Sequence, residues 1–185
     1  MIPEILRDAQ QRMQKAVEAT RRELQGLRTG RAHPGLVEHI RVEYYGTTVP
    51  LNQLATISAP EPRLLVIQPW DKSALRNIER ALMQSELGLV PTSDGNVLRV
   101  PIPPLTEERR QDLVRVARRL AEEGRVAIRN IRREAKEMIE ELEDGGEISE
   151  DEARRAQEEL QKLTDRFVGE VDALLQRKEA EILEV

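Results

Sequence analysis

Residues 106–143 read TEERRQDLVRVARRLAEEGRVAIRNIRREAKEMIEELE, and the order of apolar and charged residues in this stretch predicts one long helix. Apolar residues and one glycine recur at spacings of three, four or seven, which is the pattern of a buried helix face. These positions are Leu113, Ala117, Leu120, Gly124, Ala127, Ile131, Ala135, Met138 and Leu142. A helix with so long an apolar face needs partners along its whole length.

A strip of cations lies about a third of a turn from the apolar face, at about 100° per residue. Its members are Arg118, Arg125, Arg129, Arg132 and Lys136. Like charges four residues apart repel by roughly a few tenths of a kcal/mol, so a helix built only for stability would alternate their signs. Arginine also grips phosphate through two parallel hydrogen bonds. The pattern alone slightly favours phosphate or RNA binding over a solvated charged face.

Two further segments have the same periodicity. Residues 2–28 carry Ile5, Ala9, Met13, Ala16, Thr20, Leu24 and Leu27, and we expect Gly30 to end this helix as a C-terminal cap. The last helix begins at a capping box, SEDE at 149–152, and carries Ala153, Ala156, Leu160, Leu163, Phe167, Val171, Leu174 and Ile182. A short turn at 144–146 makes the last two helices antiparallel neighbours. The sequence therefore predicts a long three-helix bundle.

The residues between the first helix and the long one have a different pattern. Short runs rich in Val, Ile, Tyr and Thr at 39–45, 47–51, 55–59, 63–68 and 97–102 predict strands, and 72–87 predicts a helix capped by Asp71 and ended by Gly88. Tyr44 and Tyr45 should point to opposite faces of a strand. The fold class is therefore α+β, with a small α/β domain inserted into the bundle.

The predicted domain boundaries follow from this order. Residues 1–30 and 105–185 form the bundle, and residues 31–104 form the inserted domain. Two adjacent chain segments join the domains near 30–31 and 103–105, and two such linkers form a hinge more naturally than a rigid neck. The residues of this hinge are Gly30, Arg31, Pro103, Pro104 and Leu105.

Composition limits the classes of function. The net charge of −5 over 185 residues means that any nucleic-acid contact must come from a local patch. Four aromatic residues are too few for a base-stacking platform. With no cysteine, and with His33 and His39 lacking a third ligand, we expect no metal site, no cofactor and no enzyme. No signal peptide or membrane span is seen, so we expect a soluble, cytoplasmic protein.

Several motifs together resemble the ribosome recycling factor family. They are RTGRA at 28–32, VEYYG at 42–46, PL at 50–51, LGL at 87–89 with Pro91, RVPIPPLTEERR at 99–110, RNIRR at 129–133 and EISED at 147–151. The resemblance covers essentially the whole chain. The proline-rich motif and the arginine-rich motif are specific, whereas long amphipathic helices alone would not be.

The resemblance implies an L-shaped, hinged protein that is similar to transfer RNA in outline. It implies a monomeric translation factor that binds the post-termination 70S ribosome between its subunits, contacts large-subunit ribosomal RNA (rRNA), and splits the ribosome with elongation factor G and GTP. By motif match, the rRNA-binding residues are Arg129, Arg132 and Arg133, with Arg28 and Arg31 close by. Arg118, Arg125 and Lys136 are further possible contacts.

One other class stays open at this point. The bundle could be a coiled-coil scaffold or adaptor whose arginines meet an acidic protein partner. RNA-phosphate binding should fall steeply with salt concentration, which distinguishes it from such an adaptor.

Overall fold

The computed structural model describes residues 1–27, 29–85 and 88–184. The chain divides into two compact units, one of Met1–Leu27 with Glu107–Val185 and one of Arg28–Thr106. The first unit is a bundle of helices and the second an α/β unit, so the predicted α+β class is confirmed. The boundaries between the units lie a few residues outside the predicted ones, and the hinge stays a prediction.

The helices are α1 (Ile2–Gln25), α2 (Leu75–Gln84), α3 (Glu107–Asp144) and α4 (Glu150–Leu183). The strands are β1 (Arg41–Tyr44), β2 (Thr47–Pro50), β3 (Ala55–Glu61), β4 (Leu64–Pro69), β5 (Thr92–Ser93) and β6 (Leu98–Pro101). Within the described residues, no helix has a long enough apolar stretch to span a membrane.

The first unit consists of α1, α3 and α4. The turn between α3 and α4 contains Gly146 at φ 74°, a conformation that glycine adopts without strain. The predicted capping box follows it: the Ser149 side chain accepts from the Glu152 backbone N–H at 3.0 Å, and the Glu152 carboxylate accepts from the Ser149 N–H. This turn reverses the chain, so α4 runs back along α3.

The buried face of α3 is rotated slightly from the predicted one. It consists of Leu113, Val114, Ala117, Ala121, Gly124, Ile128, Ile131, Ala135 and Ile139. The prediction was wrong at Met138, whose exposure is 46%, and at Leu120, Ala127 and Leu142, which are only half-buried. At the first three positions named, the residue that follows (Ile139, Ala121 or Ile128) is buried instead. From Val114 to Ala135 the observed spacing alternates three and four, which is the seam of a coiled coil.

Helices α1 and α3 approach closely where Gly124 faces Thr20. A Cβ atom built on Gly124 would collide with Thr20 Oγ1 and lie 3.3 Å from Thr20 Cβ. Thr20 is buried, and its hydroxyl donates to the Ala16 carbonyl at 3.0 Å. The β-branched Thr20 side chain has little freedom to move away. Gly124 therefore sets how near the two helix backbones come.

The first helix and α2 are shorter than predicted. α1 ends at Gln25 with Gly26 as its cap, and Gly30, at φ 83°, lies beyond the helix. The turn before α2 begins at Asp71, whose carboxylate accepts from the Ser73 N–H at 3.0 Å, as the cap prediction requires. α2 ends at Gln84, and the predicted end of this helix at residues 86–87 falls outside the described residues.

The second unit contains two antiparallel sheets. Strands β1 and β2 form a hairpin, and the other four strands form a sheet in the order β3-β4-β6-β5. Strand β4 is central to that sheet and contributes Leu65 and Ile67 to the core, where α2 contributes Ile78 and Leu82. This core is separate from that of the bundle.

The two adjacent tyrosines do not point to opposite faces, which corrects the prediction. Strand β1 ends at Tyr44, and Tyr45 lies in the following turn at φ 49°, with an exposure of 79%. The two rings meet edge to face with centroids 4.5 Å apart, and both hydroxyl groups donate to Asp71 Oδ2. The alternation of side chains along a strand stops at the turn, so it does not apply to Tyr45.

Replacing Gly124 by alanine should lower the free energy of unfolding by about 1 kcal/mol, because overpacking costs more than the gain in helix propensity. Gly169→Ala in α4 is the matched control, since an added Cβ there meets nothing within 4 Å. The control should be stabilised by up to about 1 kcal/mol. Thermal unfolding of both variants measures this, and equal stabilisation of the two would contradict the close approach.

Asp94→Asn should lower the urea midpoint of the second unit at pH 7. Hydrogen bonds from the backbone N–H groups of Val97 and Asn96, and a weaker contribution from the hydrogen bond of the Arg99 side chain, lower the pKa of Asp94 to about 2. The stabilisation is therefore complete above about pH 4, the ordinary range of aspartate, and is lost as pH falls towards 2. The single tryptophan, Trp70, reports this unit by fluorescence. A difference between variant and parent that does not shrink between pH 4 and pH 2 would contradict this assignment.

Candidate nucleic-acid interface

The predicted cationic strip lies along the edge of α3 that faces α4. Arg118 Nε donates to Glu179 Oε1 at 2.7 Å, Arg125 Nε donates to Asp172 Oδ1 at 2.7 Å, and Arg132 Nη1 donates to Gln161 Oε1 at 3.0 Å. All three acceptors belong to α4. The strip is thus not a freely solvated face, because part of it joins two helices.

Arg125 is the member most engaged in holding the helices together. Its side chain is only 18% exposed, and it forms ion pairs with Asp172 at 2.7 Å and with Glu122 at 2.9 Å. Desolvation by burial opposes its charge, but the hydrogen bonds to Asp172 and Glu122 outweigh that effect and raise the pKa of Arg125. The hydrogen bond from Arg125, and a second one from Arg129, in turn lower the pKa of Glu122. Because two carboxylates already accept hydrogen bonds from Arg125, this guanidinium is poorly available to a phosphate.

Arg129 and Lys136 have weaker partners on their own helix. Arg129 Nη1 lies 3.3 Å from Glu122 Oε1, and Lys136 Nζ lies 3.9 Å from Glu140 Oε1. Both cations are about half exposed, and exposed pairs of this kind contribute little to stability. Either cation can exchange its carboxylate for a phosphate at small cost.

Arg132 differs from its neighbours because its partner, Gln161, is neutral. Its Nε is buried without an acceptor, the only such side-chain nitrogen or oxygen in the part of the chain that the structure describes. A buried donor left without an acceptor costs about 1–3 kcal/mol. No carboxylate lies within ion-pair distance of Arg132 among the described residues, so its charge is uncompensated.

Arg133 is exposed and, within residues 1–27, 29–85 and 88–184, has neither an ion pair nor a side-chain hydrogen bond. It follows Arg132 directly and lies one helical turn from Arg129. The RNIRR motif at 129–133 therefore places two uncompensated guanidinium groups and one weakly paired group on adjoining parts of α3. This local positive charge is what a phosphate backbone requires.

A groove of about 610 Å³ lies between α3 and α4 beside this motif. Arg132 lines one part of it, and the acids nearest the helix turn line another. The lining residues besides Arg132 are Lys136, Glu140, Glu143, Glu150, Asp151, Ala153, Arg154, Gln157, Leu160 and Gln161. The groove is polar and open, so it suits a charged ligand better than an apolar one.

The two arginines predicted near the hinge do not belong to the described part of the helical unit that carries the motif. Arg31 belongs to the second unit, is exposed, and takes part in interactions of its own. Arg28 lies outside the described residues. Their part in one surface with the arginines of α3 stays a prediction.

Gln161 is the residue that the sequence reasoning missed. An uncharged residue on a charged helix attracts no attention unless the register of α4 against α3 is worked out first.

No cluster of three His, Asp or Glu side chains suited to a metal ion occurs among the described residues.

Comparison with known proteins gives one consistent result. The model of the family described as ribosome recycling factor matches residues 20–183. The ribosome-recycling factors of Carboxydothermus hydrogenoformans and Thermomicrobium roseum are 62% and 58% identical to this chain over 185 residues, with complete coverage of both sequences in each case.

Two solved structures are also similar. A solution structure of the ribosome recycling factor has a TM-score of 0.74 at 55% identity and covers 100% of this chain and 98% of its own. A second structure has a TM-score of 0.64 at 54% identity and 99% coverage of both chains. It contains models of the T. thermophilus ribosome recycling factor and the E. coli elongation factor G bound to the E. coli post-termination complex. On its motifs, its fold and these full-length matches, the chain belongs to the ribosome recycling factor family.

Proposed function

We propose that this chain is a translation factor that binds the post-termination 70S ribosome between its subunits. Together with elongation factor G and GTP it splits the ribosome, so that the ribosome leaves the messenger RNA. The observation that carries the proposal is the 62% identity to a ribosome-recycling factor over all 185 residues. A relative bound to the post-termination complex with elongation factor G supports the choice of partners.

The rRNA-binding surface that we propose centres on Arg132 and Arg133. Their charges are uncompensated among the described residues, whereas Arg118 and Arg125 are held by carboxylates of α4. Arg129 joins the surface because its pairing with Glu122 is weak, and Lys136 flanks it. Arg28 and Arg31 are proposed as further contacts on the motif match alone.

The chain acts mechanically in this proposal. Elongation factor G hydrolyses the GTP, and this chain carries out no catalytic step. Its place of action is the cytoplasm, where post-termination ribosomes are found. It works as a monomer, because each ribosome offers one intersubunit space.

The inserted domain is proposed to be the lever on which elongation factor G acts. The bundle, held by its continuous seam, anchors the protein on rRNA, and the segments near 30–31 and 103–105 form the hinge. Close packing along the seam resists bending, so force on the lever reaches the subunit interface.

Arg132→Ala and Arg133→Ala should each weaken binding to 70S ribosomes by about tenfold or more, because each removes charge-assisted hydrogen bonds to phosphate. The slope of log affinity against log salt should fall by about 1 for each lost contact. The melting temperature should stay nearly unchanged. Arg177→Ala removes the same charge from an exposed site on α4 and serves as the control.

Sedimentation with ribosomes at several salt concentrations measures these effects. Unchanged binding of both variants would refute the RNA surface. Loss of binding that does not depend on salt would instead favour the adaptor with an acidic protein partner.

Lengthening both linkers by two Gly-Ser pairs should abolish ribosome splitting and spare ribosome binding, because a slack hinge cannot transmit force. Light scattering of 70S ribosomes with elongation factor G and GTP measures splitting, and sedimentation measures binding. A single lengthened linker is the control for loss of folding. Normal splitting by the doubly lengthened protein would contradict the lever.

A further inference from the structure

Helices α3 and α4 are joined by a regular ladder of charges. Arg118 pairs with Glu179, and Arg125 pairs with Asp172, each at 2.7 Å. The arginines are seven residues apart on α3, and the acids are seven residues apart in the opposite direction on α4. In an antiparallel coiled coil, equal steps of seven on both helices bring the next pair into the same relation.

The next pair in this ladder is Arg132 with Asp165, and it does not form. Arg132 Nη1 donates instead to Gln161 Oε1 at 3.0 Å, and Gln161 Nε2 donates to Asp165 Oδ1 at 2.9 Å. The Gln161 amide therefore forms one hydrogen bond with the Arg132 guanidinium and one with the Asp165 carboxylate. Arg132 thus has no ion pair with any described residue, although Asp165 occupies the position in the ladder where its carboxylate partner is expected.

We propose that Gln161 is a positioning residue that keeps Asp165 from pairing with Arg132, and so keeps Arg132 available for a phosphate of rRNA. The inference rests on the proposed function, because it names a residue that prepares the proposed RNA surface. Gln161 acts through Arg132 and needs no contact with RNA.

The physical reason is competition between two anions. A carboxylate in the geometry of the Arg118 and Arg125 pairs would occupy the same donors that a phosphate needs, and it would have to be displaced before RNA could bind. The neutral amide gives Arg132 a fixed orientation without that competition. It also explains why this arginine, alone of the three in the ladder, lacks an ion pair among the described residues.

The test compares Q161A, D165N and the double variant Q161A/D165N in binding to empty 70S ribosomes. In Q161A the third pair can close, so binding should weaken about tenfold, as expected for the loss of a charge-assisted contact, while the melting temperature stays the same or rises. D165N alone should leave affinity within about twofold of the parent, since the neutral amide still separates the side chains. The double variant should return to within about twofold of the parent, because no carboxylate remains to pair with Arg132.

Rescue by the second substitution is the decisive result. If Gln161 merely packed the helices or touched RNA itself, removing Asp165 would not restore binding, and absence of rescue overturns the inference. Unchanged binding of Q161A overturns it as well. Arg132→Ala, measured beside them, separates the two proposals. If that variant binds normally, Arg132 is not part of the RNA surface, whereas weak binding of Arg132→Ala with normal binding of Q161A refutes only the role of Gln161.

Discussion

The register of α3 against α4 is the constraint on which the rest of the structure depends. The seam of α3 alternates steps of three and four from Val114 to Ala135, and α4 returns along it from the capped turn at Ser149. Because the buried faces interlock, one register brings Arg125 between Asp172 and Glu122. A shift by one helical turn would separate these charges and expose parts of both seams.

That register also sorts the arginines of α3 into two kinds. Arg118 and Arg125 face acids of α4, and these ion pairs neutralise their charge within the protein. Those facing a neutral side chain or solvent, at Arg132 and Arg133, keep their charge. A chain with a net charge of −5 can therefore present a short positive surface, while the acidic remainder limits binding to RNA elsewhere. Specificity for one site on a large RNA is easier to obtain from such a surface than from a uniformly basic protein.

The architecture could be predicted from the sequence because it rests on patterns within single segments. The apolar pattern predicts the long helix at 106–143, and the helix spans Glu107–Asp144; the predicted capping box at Ser149 is present. The seam was misplaced at Met138 because periodicity alone cannot choose between two neighbouring apolar residues. Tyr45 was misplaced because a left-handed turn ends the strand one residue earlier than its composition suggests.

The site was harder to predict, for a physical reason. The cations were found on α3 by their spacing, but their partners lie on α4, and Arg118 and Glu179 are 61 residues apart in the chain. Whether a given arginine is neutralised depends on interhelical register, which no single-helix pattern contains. The role of Gln161 becomes visible only after the two helices are aligned, because only then does Asp165 take the position in the charge ladder that corresponds to Arg132.

The proposal that this part of α3 faces ribosomal RNA can be measured directly, because the chain has no cysteine and accepts a single one as a tether. Iron–EDTA attached to Glu140→Cys, beside the groove that Arg132 lines, should cut large-subunit rRNA by hydroxyl radicals in the bound 70S complex. The same probe on Lys15→Cys, on the exposed side of α1, should give a weaker or different pattern. Bound protein that produces no rRNA cuts from residue 140 would contradict the assignment of this surface.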